Sequence, residues 1–167
     1  SKNGSSAATL SLADYVSNGI LDTSFSNDGV LTSSYSGLGD AWGYDGIEQA
    51  NGRVVLVGSV FNPQSGYAEI GISRYLSDGS LDASFSGDGQ LNLSIGRRSD
   101  YAYAVALQTD QKILVGGSAY DRNGNGDFVL ARLNADGSYD TSFGATGYVV
   151  TNTASGFGAN TWINVVL

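Results

Sequence analysis

The chain has 167 residues, with 8 Lys and Arg against 16 Asp and Glu, a net charge of −8, and no Cys, Met or His. That composition excludes thiol nucleophiles, disulfides, histidine bases and the softer metal ligands, and an acidic chain whose few cations form no stripe repels nucleic-acid phosphates. Apolar runs are only a few residues long, so no transmembrane segment is expected, and 24 Gly with a single Pro fit many tight turns between apolar strands.

Read from the N-terminus, Thr9–Tyr15 matches Glu69–Tyr75 further on, so the chain opens inside a repeated unit. The segment from Ala13 to Gly19 then aligns with Ser73–Gly79 and Ala131–Gly137, and each is followed by an Asp–Phe unit: Asp22 and Phe25, Asp82 and Phe85, Asp140 and Phe143. The first recurrence comes after 60 residues and the second after 58. Gln49–Ser59 matches Gln108–Ser118 in the same way. In the central copy, four short segments rich in β-branched and aromatic residues predict strands at Val54–Ser59, Glu69–Tyr75, Gln90–Ser94 and Tyr101–Gln108. Asn51-Gly52 predicts a two-residue hairpin with positive φ at both positions, and Asp78-Gly79 and Asp136-Gly137 carry the same turn chemistry. Near the C-terminus, Trp162–Leu167 matches the segment ending at Leu107.

No window shows sustained helical spacing, so the chain is all-β, and a repeat near 60 residues with four antiparallel strands per period is the pattern of a β-propeller blade. The expected array is one domain: a partial repeat at about 9–46, repeats at about 47–104 and 105–162, and the start of another to residue 167. Two whole periods do not close a ring of four to eight blades, so an incomplete ring is expected, either part of a longer polypeptide or completed by other copies. A β-solenoid is the rival architecture, although its coils are usually much shorter.

The run Arg-x-x-x-Asp-Gly-Ser-x-Asp-x-Ser-Phe, present at Arg74–Phe85 and at Arg132–Phe143 and combined with the Gln108–Ser118 run, resembles the delta-60 repeat family. The first copy departs from it at Asp14 and Asn18, where Arg and Asp are expected. What the resemblance implies is a bacterial propeller repeat in secreted or cell-surface proteins, with no shared catalytic activity.

Residues repeated in every module read first as architecture. Asp22, Asp82 and Asp140 are expected to accept backbone N–H bonds inside their loops, the alternative being a repeated ligand site. Phe25, Phe85 and Phe143 are expected to plug the core between neighbouring blades, and Arg74 and Arg132 to pair with a loop carboxylate or carbonyl. One loop is not repeated: Asp121, Asn123, Asn125 and Asp127 alternate around Gly126 like the first half of an EF-hand calcium loop. Its twelfth position is Arg132 in place of the bidentate Glu, so calcium is set against a polar hairpin tip. Ten Tyr and two Trp, among them Trp42, Tyr44, Tyr101 and Tyr103, suggest a sugar-stacking face, with one of Tyr101 and Tyr103 outward and the other packed.

The functional expectation is therefore a non-enzymatic extracellular or cell-surface scaffold for adhesion to protein or glycan. Two others stand beside it: a propeller hydrolase acting on polysaccharide, with non-repeated acids converging in one pocket, and self-assembly through exposed edge strands.

Overall fold

The computed structural model describes residues 9–152. Ten strands follow in order: β1 (Leu10–Ala13), β2 (Val30–Ser33), β3 (Ala41–Glu48), β4 (Val54–Asn62), β5 (Tyr67–Tyr75), β6 (Gln90–Leu93), β7 (Asp100–Leu107), β8 (Ile113–Tyr120), β9 (Gly126–Leu133) and β10 (Tyr148–Thr151). They form a two-stranded sheet β1-β2 and two four-stranded sheets, β3-β4-β5-β6 and β7-β8-β9-β10. Every pairing is antiparallel between consecutive strands. That meander is incompatible with the β-solenoid alternative, and the sheets are referred to below as blades 1, 2 and 3.

The period and the sheet are out of phase by one strand. The fourth predicted strand of the central copy, at Tyr101–Gln108, is β7 and opens blade 3, so the sheets run Ala41–Leu93 and Asp100–Thr151. A repeat can be cut anywhere along its period, and sequence similarity alone does not say where one sheet ends. Among the described residues, blade 1 has only the counterparts of β5 and β6, namely β1 and β2.

The Asn-Gly and Asp-Gly turns are three-residue loops, which corrects the two-residue hairpin expected at Asn51-Gly52. Gln49 N–H bonds Arg53 O at 2.7 Å and Gly52 N–H bonds Gln49 O at 2.8 Å. Only Gly52, with φ +75°, has a positive φ. In such a loop a type I turn carries the first residues and a single left-handed residue closes the hairpin, so Asn51 stays in ordinary conformation. The same bond pattern at Leu76–Ser80 and Asn134–Ser138 leaves the positive φ to Gly79 and Gly137.

Two apolar clusters cement the blades face to face. Val55, Val57, Ile70, Ile72 and Phe85 of blade 2 meet Ala102, Val105, Ile113, Val115 and Leu133 of blade 3. Between blades 1 and 2, Leu10, Phe25, Leu31, Tyr35, Leu56, Val60 and Tyr75 do the same. Both faces of β4 and β5 are thus covered, which explains why their residues run apolar rather than alternating with polar ones. Each fully buried large apolar side chain stabilises by about 1.5–3 kcal/mol. Among the described residues, no helix is long and apolar enough to cross a membrane.

Candidate functional site

The Asp–Ser–Phe loops follow β5 and β9 and lock each blade internally. Asp82, buried, accepts the Ser84 hydroxyl at 2.6 Å and the Ser84 N–H at 3.0 Å on one oxygen, and Arg74 Nε at 2.8 Å on the other. Arg53 forms an ion pair with that second oxygen. Burial pushes the Asp82 carboxyl up, but the Ser84 hydroxyl and N–H, Arg74 and Arg53 together hold it below the usual range. Arg74 also bonds Ser84 Oγ at 3.0 Å and lies over the Phe85 ring at 4.8 Å. In blade 3, Arg132, Asp140, Ser142 and Phe143 repeat this arrangement, with Lys112 Nζ 3.2 Å from Asp140 in place of Arg53. The Ser142 hydroxyl bond depresses the Asp140 carboxyl strongly, and Lys112 and Arg132 add to it. In the first copy Asp22 keeps the Ser24 bonds, at 2.9 Å from N–H and 2.6 Å from the hydroxyl, while Asp14 stands where Arg would.

These loops also join neighbouring blades. Ser26 N–H bonds Asp78 O at 3.0 Å, and Ser86 N–H bonds Asp136 O at 2.8 Å. Arg74 Nη1 reaches across to Ala135 O. Phe25 and Phe85 are buried between blades, whereas Phe143 is half-buried. The repeated carboxylates are therefore occupied by their own loops.

The calcium candidates divide between a self-capped hairpin tip and a strand. Asp121 Oδ1 accepts Asn123 N–H at 2.8 Å and Asn125 N–H at 2.9 Å, and its Oδ2 accepts the Asn125 amide at 3.1 Å. These bonds lower the Asp121 pKa, the Asn125 N–H contributing most. Asp127 lies on β9 opposite Ala119 and accepts Asn152 Nδ2 at 3.4 Å. Among the described residues, no group of three or more His, Cys, Asp or Glu is arranged to hold a metal ion.

Two features remain open to a ligand. The first is a tyrosine row along the edge strands β3 and β7, joined by Tyr120 at the end of β8. Each strand carries a bulge at the same repeat position, between Gly43 and Asp45 and between Ala102 and Ala104, which turns out Tyr44 and Tyr103. Their rings lie 5.6 Å apart; Tyr103 stacks on Tyr101 at 6.1 Å and 12°, and Tyr101 meets Tyr120 edge-on at 6.0 Å. Tyr101 and Tyr103 thus share one side, contrary to the expectation that one faces out and the other packs. The core-facing residue is Ala102 between them, as the two-residue period of a strand requires. Trp42 and Tyr44 are 43% and 48% exposed.

The second is an acidic groove of about 590 Å³ between β1 and β3, lined by Asp14, Asp22, Asp45 and Glu48 together with Tyr44 and Phe25. Asp45 is held by backbone, accepting Gly46 N–H at 2.9 Å and Val105 N–H of blade 3 at 2.8 Å. The carboxylates of Asp14 and Glu48 carry no hydrogen bond or ion pair among the described residues. Sequence reasoning missed Asp45 and Glu48, which have no acidic counterpart in the next repeat, and Tyr120, whose counterpart is Phe61. Arg53 and Lys112 did leave a signal, since both are basic at one aligned position.

Residues 49–85 and 108–143 match a β-propeller family described as a domain of unknown function (DUF5122). These two stretches are the equivalent parts of blades 2 and 3, from the first hairpin turn to the Phe of the Asp–Ser–Phe loop, and the chain is a propeller-type repeat array with no closed sheet among the described residues. No curated protein and no solved structure matches the chain.

Proposed function

We propose that this propeller-type array is a non-enzymatic interaction scaffold, secreted or displayed at the cell surface, whose tyrosine row receives a glycan. More narrowly than the propeller assignment, it is a delta-60 repeat protein, and the extracellular location rests on that resemblance. The observation that carries the reading is the recurrence of the bulge in β3 and β7, which sets Tyr44, Tyr101, Tyr103 and Tyr120 in one continuous row. Aromatic faces stack on the apolar faces of sugar rings, and rigid tyrosines give contact area at low entropic cost. The acidic surface favours uncharged glycans.

Calorimetric titration with soluble xylan and with a β-glucan tests this. Saturable binding to at least one is expected, weakened about fivefold by Tyr103→Ala because one stacking contact is worth on the order of 1 kcal/mol. Absence of binding to both sinks the reading.

The groove favours a second reading, a polysaccharide hydrolase using Asp14 and Glu48, because non-repeated acids line one cavity. It requires release of reducing ends from those same polysaccharides, abolished by Asp14→Asn and by Glu48→Gln. Stable glycan length after prolonged incubation removes it.

A further inference from the structure

Three arginines stand apart from the ion pairs of the repeat. Arg53, Arg74, Lys112 and Arg132 are paired with Asp82 or Asp140. Arg97, Arg98 and Arg122, the other cations among the described residues, are exposed and form no ion pair there. Arg97 and Arg98 lie in the connector of residues 94–99 that leads from β6 to β7, and Arg122 lies in the tip between β8 and β9. The equivalent connector at residues 34–40 and the equivalent tip at residues 63–66 carry no Lys or Arg. Residues that repeat belong to the architecture, and these three do not repeat.

The connector is fastened through its backbone. Ile95 and Gly96 N–H donate to the buried Asp100 carboxylate at 2.6 and 3.0 Å, and Arg97 and Arg98 N–H both donate to Tyr120 O, at 3.0 and 3.1 Å. Ser99 adds two bonds, accepting Ala68 N–H on its hydroxyl at 3.3 Å and Tyr120 N–H on its carbonyl at 3.2 Å. The fit is close at Gly96, where a Cβ would lie 2.6 Å from Asp100 Oδ1 and 2.7 Å from Tyr120 O. Because Arg122 is two residues beyond Tyr120, the Cα atoms of the three arginines lie within about 12 Å of one another. Arg98 Nη1 is 3.8 Å from the point that a Cβ on Gly124 of the tip would occupy. The acid of the tip, Asp121, accepts from Asn123 and Asn125 and makes no ion pair with the arginines. Tyr120 joins this cationic platform to the tyrosine row, since its carbonyl holds the connector while its ring meets Tyr101 edge-on.

We propose that Arg97, Arg98 and Arg122 receive the carboxylate of a uronic acid branch on an otherwise neutral glycan, whose backbone stacks on the adjoining tyrosine row. Arginine suits this group because its planar guanidinium donates two parallel N–H bonds to a carboxylate. The net charge of −8 repels a polyanion, so the backbone is neutral, whereas a single carboxylate placed among three unpaired cations is attracted at short range. The proposal rests on the glycan reading of the tyrosine row and adds the class of ligand to it.

Calorimetric titration of the full chain with glucuronoxylan, and with the same polymer after chemical reduction of its carboxyl groups to alcohols, tests it. The wild type is expected to bind the acidic polymer about tenfold more tightly at low salt, with the difference shrinking as salt is added, because exposed ion pairs are individually weak and screened. The double variant Arg97→Gln/Arg98→Gln and the single variant Arg122→Gln, all at exposed positions, keep the wild-type far-UV circular dichroism. Each is expected to lose much of the preference while retaining the affinity for the reduced polymer. Tyr103→Ala weakens binding of both polymers alike. Equal affinity of the wild type for the two polymers, or a preference that survives all three Arg→Gln substitutions combined, overturns the carboxylate site and leaves the glycan reading standing. Absence of binding to either polymer overturns both.

Discussion

A carboxylate in this molecule takes its role from the donors its loop provides. Asp82 and Asp140 sit in rings of donors that favour the ionised form, so the stability they contribute is present above about pH 4 and is lost as pH falls further through their depressed folded values. Asp100 behaves in the opposite sense. It is fully buried at the start of β7, where it accepts Ile95 N–H at 2.6 Å and Gly96 N–H at 3.0 Å. Burial, with the charge of Glu69 as a minor addition, pushes its pKa up to about 6 despite those bonds. Because that value exceeds the unfolded value of about 3.9, the folded chain holds the proton more tightly between the two, and stability falls as pH rises from about 4 to about 6. The loss is on the order of 1–3 kcal/mol. Urea denaturation between about pH 4 and pH 7 is expected to show it, and Asp100→Asn to remove it; an unchanged slope in the variant refutes the assignment. Sequence periodicity singled out Asp22, Asp82 and Asp140 because they repeat. Asp40 lies 60 residues before Asp100, but the strand pairing puts Ala41 at the position equivalent to Asp100, so the burial of Asp100 is not carried by the period and depends on a loop folding back over it.

At the scale of the strand, the bulges in β3 and β7 are what turn an ordinary edge into an aromatic row. Each bulge faces a glycine on the adjoining strand. A Cβ on Gly58 would lie 1.8 Å from Trp42 O, and one on Gly117 would lie 2.0 Å from Tyr101 O. Both obstacles are backbone, so neither yields without moving the bulge itself. Gly117→Ala is therefore expected to cost about 1–3 kcal/mol or more by overpacking and to diminish the near-UV dichroism of the tyrosines as Tyr101 and Tyr103 lose their stack. Thermal unfolding and near-UV spectra of the variant check both parts, and an unaltered tyrosine signal shows that the bulge does not depend on the glycine. Strand positions were legible from alternation and turn residues: β4 and β5 each extend two or three residues past the predicted ends, toward the hairpin that joins them. That Tyr101 and Tyr103 share a side follows from the period of two; what was not legible is the one-residue bulge, which brings Ala102 and Val105, three positions apart, into the same core cluster.

For the molecule as a whole, stability resides largely in the faces between blades, as in other arrays where each repeat touches only its neighbours. Phe85 is the residue through which this acts most directly, being fully buried in the cluster shared by blades 2 and 3 and covered by the Arg74 guanidinium. Phe85→Ala is expected to cost about 3–5 kcal/mol. Phe143→Ala, at the equivalent but half-buried position, costs roughly half as much in dilute protein. Denaturant unfolding of the two variants makes the comparison; equal losses show that the blade interface does not set stability.

Repetition let the sequence alone establish the all-β class, the period, the strands and the residues that recur as architecture, since identical segments 58 and 60 residues apart must solve the same packing problem. The tertiary structure decided the rest: where one sheet ends and the next begins, that Arg74 and Asp82 meet and reach into the following blade, that Asp121 is spent on its own turn, and that Asp14, Asp45 and Glu48 line one groove. The physical reason is that local propensity and period act along the chain, whereas a groove or an inter-blade bond is made by residues far apart in it, whose meeting depends on how the sheets stack.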